Sequence, residues 1–84
     1  MNDGVNDIIR LMKYTVIVEK GSESGYVAYV PVLKGCVSQG KTKTEAMSNI
    51  KEAIEAYIEA LIEDGLPVPT EVGKDTVELE VAVK

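Results

Sequence analysis

The feature that most constrains the fold is a long run in which apolar side chains recur every three or four residues, from Ala46 to Ile62. That spacing places them on one side of an α-helix, while the opposite side carries mainly Glu and Lys. The apolar positions are Ala46, Met47, Ile50, Ala53, Ile54, Tyr57, Ile58, Leu61 and Ile62. One side of this helix must therefore be buried.

Both ends of the helix have recognisable sequence signals. Thr42 and Glu45 form a capping box, in which the Thr42 hydroxyl accepts from the Glu45 amide and the Glu45 carboxylate accepts from the Thr42 amide. Gly65 and Pro67 mark the other end, because Gly adopts the left-handed conformation that closes a helix and Pro cannot continue one. The predicted helix therefore begins near Lys43 and ends before Gly65.

Three shorter segments before the helix have the composition of β-strands. Residues 14–19 and 26–30 are rich in β-branched and aromatic side chains, and a polar loop bounded by glycines separates them. After Pro31, a short bend leads into a third strand over residues 36–39, which Gly40 ends. The pattern predicts an antiparallel meander of three strands.

Residues 76–83 alternate strictly between apolar and polar side chains, as in a strand with one buried face. A strand that follows strand three through a helical crossover runs parallel to strand one, and a right-handed crossover places it beside strand one. We therefore predict an α+β, two-layer fold with a three-stranded antiparallel meander, one long helix, and a fourth strand parallel to strand one. The predicted strand order is 3-2-1-4.

Length and charge limit the number of domains and the classes of partner. The 84 residues form one small domain, which we expect over residues 12–84. Residues 1–11 are expected to be a tail, a start-site extension or a frayed helical turn. The net charge of −5, from nine basic and 14 acidic residues, argues against direct nucleic acid binding and favours a basic partner.

The cysteine count and the hydropathy pattern indicate a compartment. The single cysteine excludes a disulfide within the chain and fits a reducing environment. No apolar run approaches the roughly 18 residues of a membrane span, and the first residues lack a signal-peptide pattern. We predict a cytoplasmic protein without membrane contact.

The predicted sheet has more apolar side chains than one helix can cover. Ile17 and one of two alternating sets on strand two must lie on the uncovered face. These sets are Val27 with Tyr29, and Tyr26 with Ala28 and Val30. We expect a homodimer or higher homo-oligomer to cover these residues, through this face or through a sheet edge.

The residue types argue against catalysis. The sequence contains no histidine, which removes Ser-His and Cys-His nucleophile pairs and histidine metal ligands. Cys36 could be nucleophilic in principle, but nothing near it in sequence would activate it, so we interpret it as a small buried apolar residue. We interpret the glutamates of the helix and of residues 76–83 as solvated charges. We predict no enzymatic activity, no catalytic or metal site, and no cofactor.

Several short motifs occur together in this chain. They comprise residues 12–16, 25–31 and 35–37, then Gln39-Gly40, Thr42, Glu45-Ala46, and residues 49–54 of the helix. Together they resemble the HicB antitoxin family, over essentially residues 12–83. The resemblance implies a partial ribonuclease-H-like fold and a toxin–antitoxin pair, in which the HicB-type protein binds and blocks a small, basic, RNA-cleaving HicA-type toxin. Many family members continue into a C-terminal DNA-binding segment, which is not found before Lys84, so we expect no DNA binding from this chain.

The predicted partner contacts lie in strand two and in the bend that follows it. They are Tyr26, Tyr29, Pro31, Leu33, Gly35 and Cys36. Tyrosine is favoured at protein interfaces, although sheet packing explains the two tyrosines equally well. We predict an antitoxin-like protein of a type II system. Two alternatives stay open: an orphan oligomeric HicB-like domain, and a metal-dependent nuclease, which needs several carboxylates where the central strands offer only Glu19.

Overall fold

The computed structural model describes residues 11–84, and within them three β-strands precede one α-helix. The strands are β1 (Ile17–Lys20), β2 (Tyr26–Tyr29) and β3 (Val37–Gly40), and the helix is α1 (Lys43–Glu63). β2 lies between β1 and β3 and pairs antiparallel with both. This confirms the α+β class, the antiparallel meander and the long helix. Most of the predicted tail lies outside the described residues.

Backbone hydrogen bonds close both connections of the meander. In the β1–β2 hairpin the Gly21 amide donates to the Gly25 carbonyl at 2.9 Å, and Gly25 has a positive φ of 76°, which favours glycine. Between β2 and β3, the Leu33 amide donates to the Val30 carbonyl and the Cys36 amide to the Leu33 carbonyl, both at 3.0 Å. The bend between β2 and β3 is therefore compact.

The two ends of α1 follow the sequence signals, with one difference. The Thr42 hydroxyl accepts from the Glu45 amide at 3.0 Å, which confirms the N-cap. The Glu45 carboxylate accepts from the Lys41 amide, at 2.6 Å, rather than from the predicted Thr42 amide, and so satisfies a donor one residue before the cap. At the other end the Gly65 amide donates to the Ile62 carbonyl, and the φ of 68° at Gly65 fits the predicted stop.

The core lies between the first half of α1, β2 and the bend after β2. Its buried side chains are Ala28, Val30, Leu33, Cys36, Ala46 and Ile50, and none is more than 4% exposed. The sequence predicts burial along the whole apolar side of the helix, but among its residues only Ala46 and Ile50 are buried.

The helix is longer than the sheet that it covers. Its 21 residues span about 31 Å at 1.5 Å per residue, whereas each four-residue strand spans about 13 Å. Ile54 and Tyr57 still pack against the core, but burial decreases toward the end of α1, where Ile62 is 63% exposed. The sheet of one chain does not supply all the burial that the helix sequence predicts.

The register between strands determines which side chains lie on the outer face of the sheet, away from α1. Ala28 is buried on the helix side, so its neighbours Val27 and Tyr29 face outward. The register aligns Tyr29 with Ile17 of β1 and with Val37 of β3. Of the two sets that the sequence left open, Val27 with Tyr29 lies on the outer face.

The predicted fourth strand is absent from the described residues. Residues 76–83 form no ladder with β1, so the sheet has the order β1-β2-β3 and not 3-2-1-4. The turn before this segment, in which the Lys74 amide donates to the Glu71 carbonyl at 3.1 Å, contains the last backbone hydrogen bond described before it. Every side chain from Val72 onward is exposed. The ribonuclease-H-like arrangement, which requires that strand, stays a prediction.

Candidate partner-binding surfaces

Four of the predicted partner contacts lie at or near the surface. Pro31 and Gly35 are exposed in the bend after β2, and Tyr29 is half-buried on the outer face of the sheet. Tyr26, at the other end of β2, packs against the core on the helix side. A partner on the outer face would therefore contact Tyr29 directly, but not Tyr26, while Pro31 and Gly35 are accessible in the bend.

The remaining two predicted contacts, Leu33 and Cys36, are core residues that hold the bend from beneath. Burial raises the pKa of the Cys36 thiol, so the thiol stays protonated at neutral pH, away from the reactive thiolate form. The Tyr57 hydroxyl donates to the Lys34 carbonyl at 2.9 Å and attaches the bend to α1. These contacts fix the shape of the surface that Pro31 presents.

The outer sheet patch, which consists of Ile17, Val27, Tyr29 and Val37, crosses all three strands. Ile17 is 36% exposed and Val37 is 56% exposed, while Val27 and Tyr29 are half-buried. A contiguous apolar patch of this kind on a small domain is typical of a protein interface. The sequence indicated an uncovered face, and the structure identifies its members.

A second apolar surface, the helix groove, lies between α1 and the residues that lead into β1. Its apolar lining includes Met12, Val16, Met47, Ile54, Ile58 and Ile62. The sequence did not predict this groove, because its apolar pattern assigned the same helix residues to a buried core. The signal that could have revealed it is the length of the predicted helix, which exceeds that of the predicted strands.

The connector, residues 64–74 after α1, is attached to the residues just before β1 by three hydrogen bonds, which together form the clamp. The Thr15 amide and hydroxyl donate to the two oxygens of Glu71, at 2.6 and 2.8 Å. Beside them, the Tyr14 hydroxyl donates to the Pro69 carbonyl at 2.6 Å. The Thr15 hydrogen bonds hold the pKa of the Glu71 carboxyl below its ordinary range, and burial, followed by the charge of Glu71, raises the pKa of Tyr14.

These surfaces offer apolar side chains that a partner could contact. Within residues 11–84, no group of three or more His, Cys, Asp or Glu side chains is placed to hold a metal ion. No helix in that range combines the length and apolar composition needed to cross a bilayer. The surface does offer exposed apolar side chains beside unpaired strand edges, and both features bind other polypeptide chains.

Comparison with known proteins connects this chain to a family. Residues 14–81 match the family described as "HicB_like antitoxin of bacterial toxin-antitoxin system". The UPF0150 protein ssr1765 of Synechocystis is 55% identical over 62 residues, which cover 74% of this chain and 78% of that protein. The protein named Antitoxin HicB 1 of Photorhabdus laumondii is 33% identical over 78 residues. That match covers 90% of this chain but 50% of the relative.

A solved structure also resembles this chain. It is a chain of a structure titled "HicA3 and HicB3 toxin-antitoxin complex", with a TM-score of 0.57 and 34% sequence identity. The match covers 67% of this chain and 64% of that chain, so each has a part without a counterpart in the other.

Proposed function

Because this chain belongs to the HicB_like antitoxin family of bacterial toxin-antitoxin systems, we propose that it binds and blocks a small, basic, RNA-cleaving toxin of the HicA type. The observation that carries the proposal is the likeness to a chain of the HicA3 and HicB3 complex. Inhibition by covering a toxin surface requires a surface of complementary shape and charge, and it needs no catalytic group on this chain.

The charge of the chain supports this partner. A toxin that cleaves RNA must attract a polyanion and therefore presents a basic surface. The net charge of −5 on this chain favours approach to such a surface, and apolar contacts then hold the pair together. We place the pair in the cytoplasm, which the free, buried cysteine fits.

We assign toxin binding to the outer sheet patch and the exposed part of the bend after β2. Tyr29 lies in the middle of the patch, between Ile17 and Val37. Pro31 and Gly35 are exposed in the bend just beyond the end of β2. Tyrosine is a frequent anchor at interfaces, because it contributes a large rigid apolar area with one polar group. The buried members of the predicted set support this surface from below.

The test measures RNA cleavage by a HicA-type toxin encoded beside this chain, and the affinity of the two proteins. We expect the chain to suppress cleavage, and Tyr29→Ala or Val37→Asp to weaken binding at least about tenfold. Glu52→Ala, on the exposed side of α1, should change the affinity less than about twofold. Thermal melting identifies variants that are merely unfolded. Full binding by a folded Val37→Asp protein would exclude this surface.

Two alternatives predict different results. An orphan oligomeric domain would fold and associate with itself, yet suppress no HicA-type toxin. A metal-dependent nuclease would cleave RNA by itself, whereas we expect the purified chain to leave RNA intact with magnesium or manganese. Intrinsic cleavage that disappears in Glu19→Gln would replace the antitoxin proposal with the nuclease.

A further inference from the structure

The C-terminal arm, defined as residues 75–84, forms no strand pairing within the described residues 11–84. The last backbone hydrogen bond described before the arm joins Lys74 to Glu71. All side chains of the arm are exposed. Its apolar residues Val77, Leu79, Val81 and Val83 are 71, 81, 72 and 85% exposed.

The arm has the pattern of a strand that is stable only beside another strand. Its apolar side chains occupy alternate positions, so they share one face, while Glu78 and Glu80 share the other. Alone in water, such a segment leaves its backbone groups unpaired and its apolar face exposed. It is therefore suited to pair with the edge of a sheet.

β1 offers an edge of this kind. In the described sheet its one neighbour is β2, so the backbone groups on its other side are free to pair. The helix groove opens beside Val16, the residue directly before this edge. Alternate side chains of a strand added there would point toward α1 and cover Met47, Ile54 and Ile58. The arm supplies both the missing backbone partners and four apolar side chains for the groove.

The connector keeps the arm from pairing fully with β1 of its own chain. Two hydrogen bonds, at 2.6 and 2.8 Å, hold Glu71 at Thr15. β1 ends at Lys20, only five residues beyond Thr15, so a parallel strand that started at Glu71 would run beside it as far as residue 76. Residues 77–83, with all four apolar side chains, would extend past the end of β1. On a second copy the arm is not tied to Thr15, so it can pair with residues 17–20 of β1 in a register that its own chain does not allow, beyond the position where that copy's own Glu71 is bound.

We propose that the protein forms a two-fold dimer in which each arm adds a strand to the β1 edge of the other copy and covers its helix groove. Donor and acceptor lie on the same chain, so two reciprocal exchanges close the assembly. The fourth strand that the sequence predicts is then supplied by the partner copy. This dimer does not depend on the antitoxin function, and its test needs no toxin.

The first test measures the mass of the full chain by light scattering over a range of concentrations, together with two matched double variants. Leu79→Gln with Val81→Gln makes the apolar face of the arm polar, whereas Glu78→Gln with Glu80→Gln places the same side chain on the opposite face. We expect a dimer, with a dissociation constant raised at least about tenfold by the first pair and less than about threefold by the second.

Folding of each variant is checked by helical circular dichroism and by a cooperative melt. Leu79 and Val81 are exposed in the single chain, so the first pair should dissociate the dimer without unfolding the body. A monomeric mass for the unchanged chain would overturn the proposal. Equal effects from the two pairs of substitutions would also overturn it.

The second test separates exchange from pairing within one chain. Glu19 faces the outer side of the sheet, and Glu80 would face the same side if the apolar face of the arm lay toward α1. A chain with Glu19→Cys and Glu80→Cys is treated with a short bis-maleimide and separated on a denaturing gel. Exchange gives a covalent dimer. The unchanged chain is the control, because Cys36 is only 4% exposed. A cross-linked monomer, or no cross-link, would overturn the exchange.

Discussion

At the scale of single residues, the Thr42 hydroxyl fixes the start of α1 by accepting from an amide that has no partner within the helix. Thr42→Ala should therefore lower the free energy of unfolding by about 0.5–2 kcal/mol. Thr44→Ala makes the same chemical change two residues later, where no cap is lost, and should not lower it. Urea unfolding of both variants measures the difference. Equal losses would mean that the helix does not depend on this cap.

Glu71 is a second residue whose side chain has a defined structural role: it joins the connector to the residues before β1. Hydrogen bonds from the amide and hydroxyl of Thr15 stabilise its charged form and lower its pKa from the ordinary value of 4.5. A carboxyl whose pKa is lower in the folded state contributes fully to stability above its unfolded pKa. The contribution is lost as the pH falls through the lowered, folded value. The clamp should therefore hold at neutral pH and release in acid.

This pH dependence can be followed at the Thr15 amide by NMR. We expect its resonance to titrate with a midpoint below 4.5, the ordinary pKa of the carboxyl. In Glu71→Gln the resonance should show no such step, because the titrating group is gone. Glu80→Gln removes an exposed carboxylate of the arm instead and should leave the step unchanged. A Thr15 amide that does not respond to pH in the unchanged chain would show that the clamp is not formed in solution.

At the scale of elements, the two halves of α1 should respond differently to truncation. Ile50 is 1% exposed, so Ile50→Ala should cost about 2–5 kcal/mol by opening a cavity under the helix. Ile62 is 63% exposed, so Ile62→Ala should change the stability of the monomer by about 0.5 kcal/mol or less. Chemical denaturation in dilute solution, where any dimer has dissociated, measures both. A large loss from Ile62→Ala there would mean that one chain covers the whole helix.

The same scale explains what the sequence could predict of the fold. The cap at Thr42, the stop at Gly65 and the three strands depend on residues close together in the chain, so local patterns were sufficient. Residues 76–83 have an equally clear pattern, yet they pair with no strand in the described chain. Alternation specifies the two faces of a strand, but it does not specify which edge the strand joins, or in which copy of the chain.

The candidate site was predicted less completely than the fold. The sequence placed Tyr29 and Leu33 in one partner surface, but Leu33 is fully buried. Which residue of a bend points inward depends on how the bend packs under α1, through long-range contacts such as that between Tyr57 and Lys34. For the same reason the helix groove was missed, since an amphipathic helix shows which side is apolar and not how much of that side its own sheet covers.

At the scale of the whole molecule, two uncovered apolar surfaces lie on opposite sides of one sheet. The outer sheet patch faces away from α1, whereas the helix groove lies on the same side as α1 and is lined by it. A second copy bound at the β1 edge and in the groove therefore leaves the outer patch open. The two proposals are compatible, and a dimer of this kind would present one toxin-binding surface on each copy.

Charge also acts at this scale, because the net charge of −5 belongs to the chain and not to any one contact. If the toxin is basic, raising the salt concentration from about 0.05 to 0.5 M should slow its association at least about tenfold, because screening removes the long-range attraction. The dissociation rate should change much less, because the assigned contacts at the outer patch are mainly apolar. Surface plasmon resonance measures both rates.

The arm exchange is the internal control, since it buries valine and leucine and should not weaken in salt. Association of the toxin that is independent of salt would argue against a basic partner.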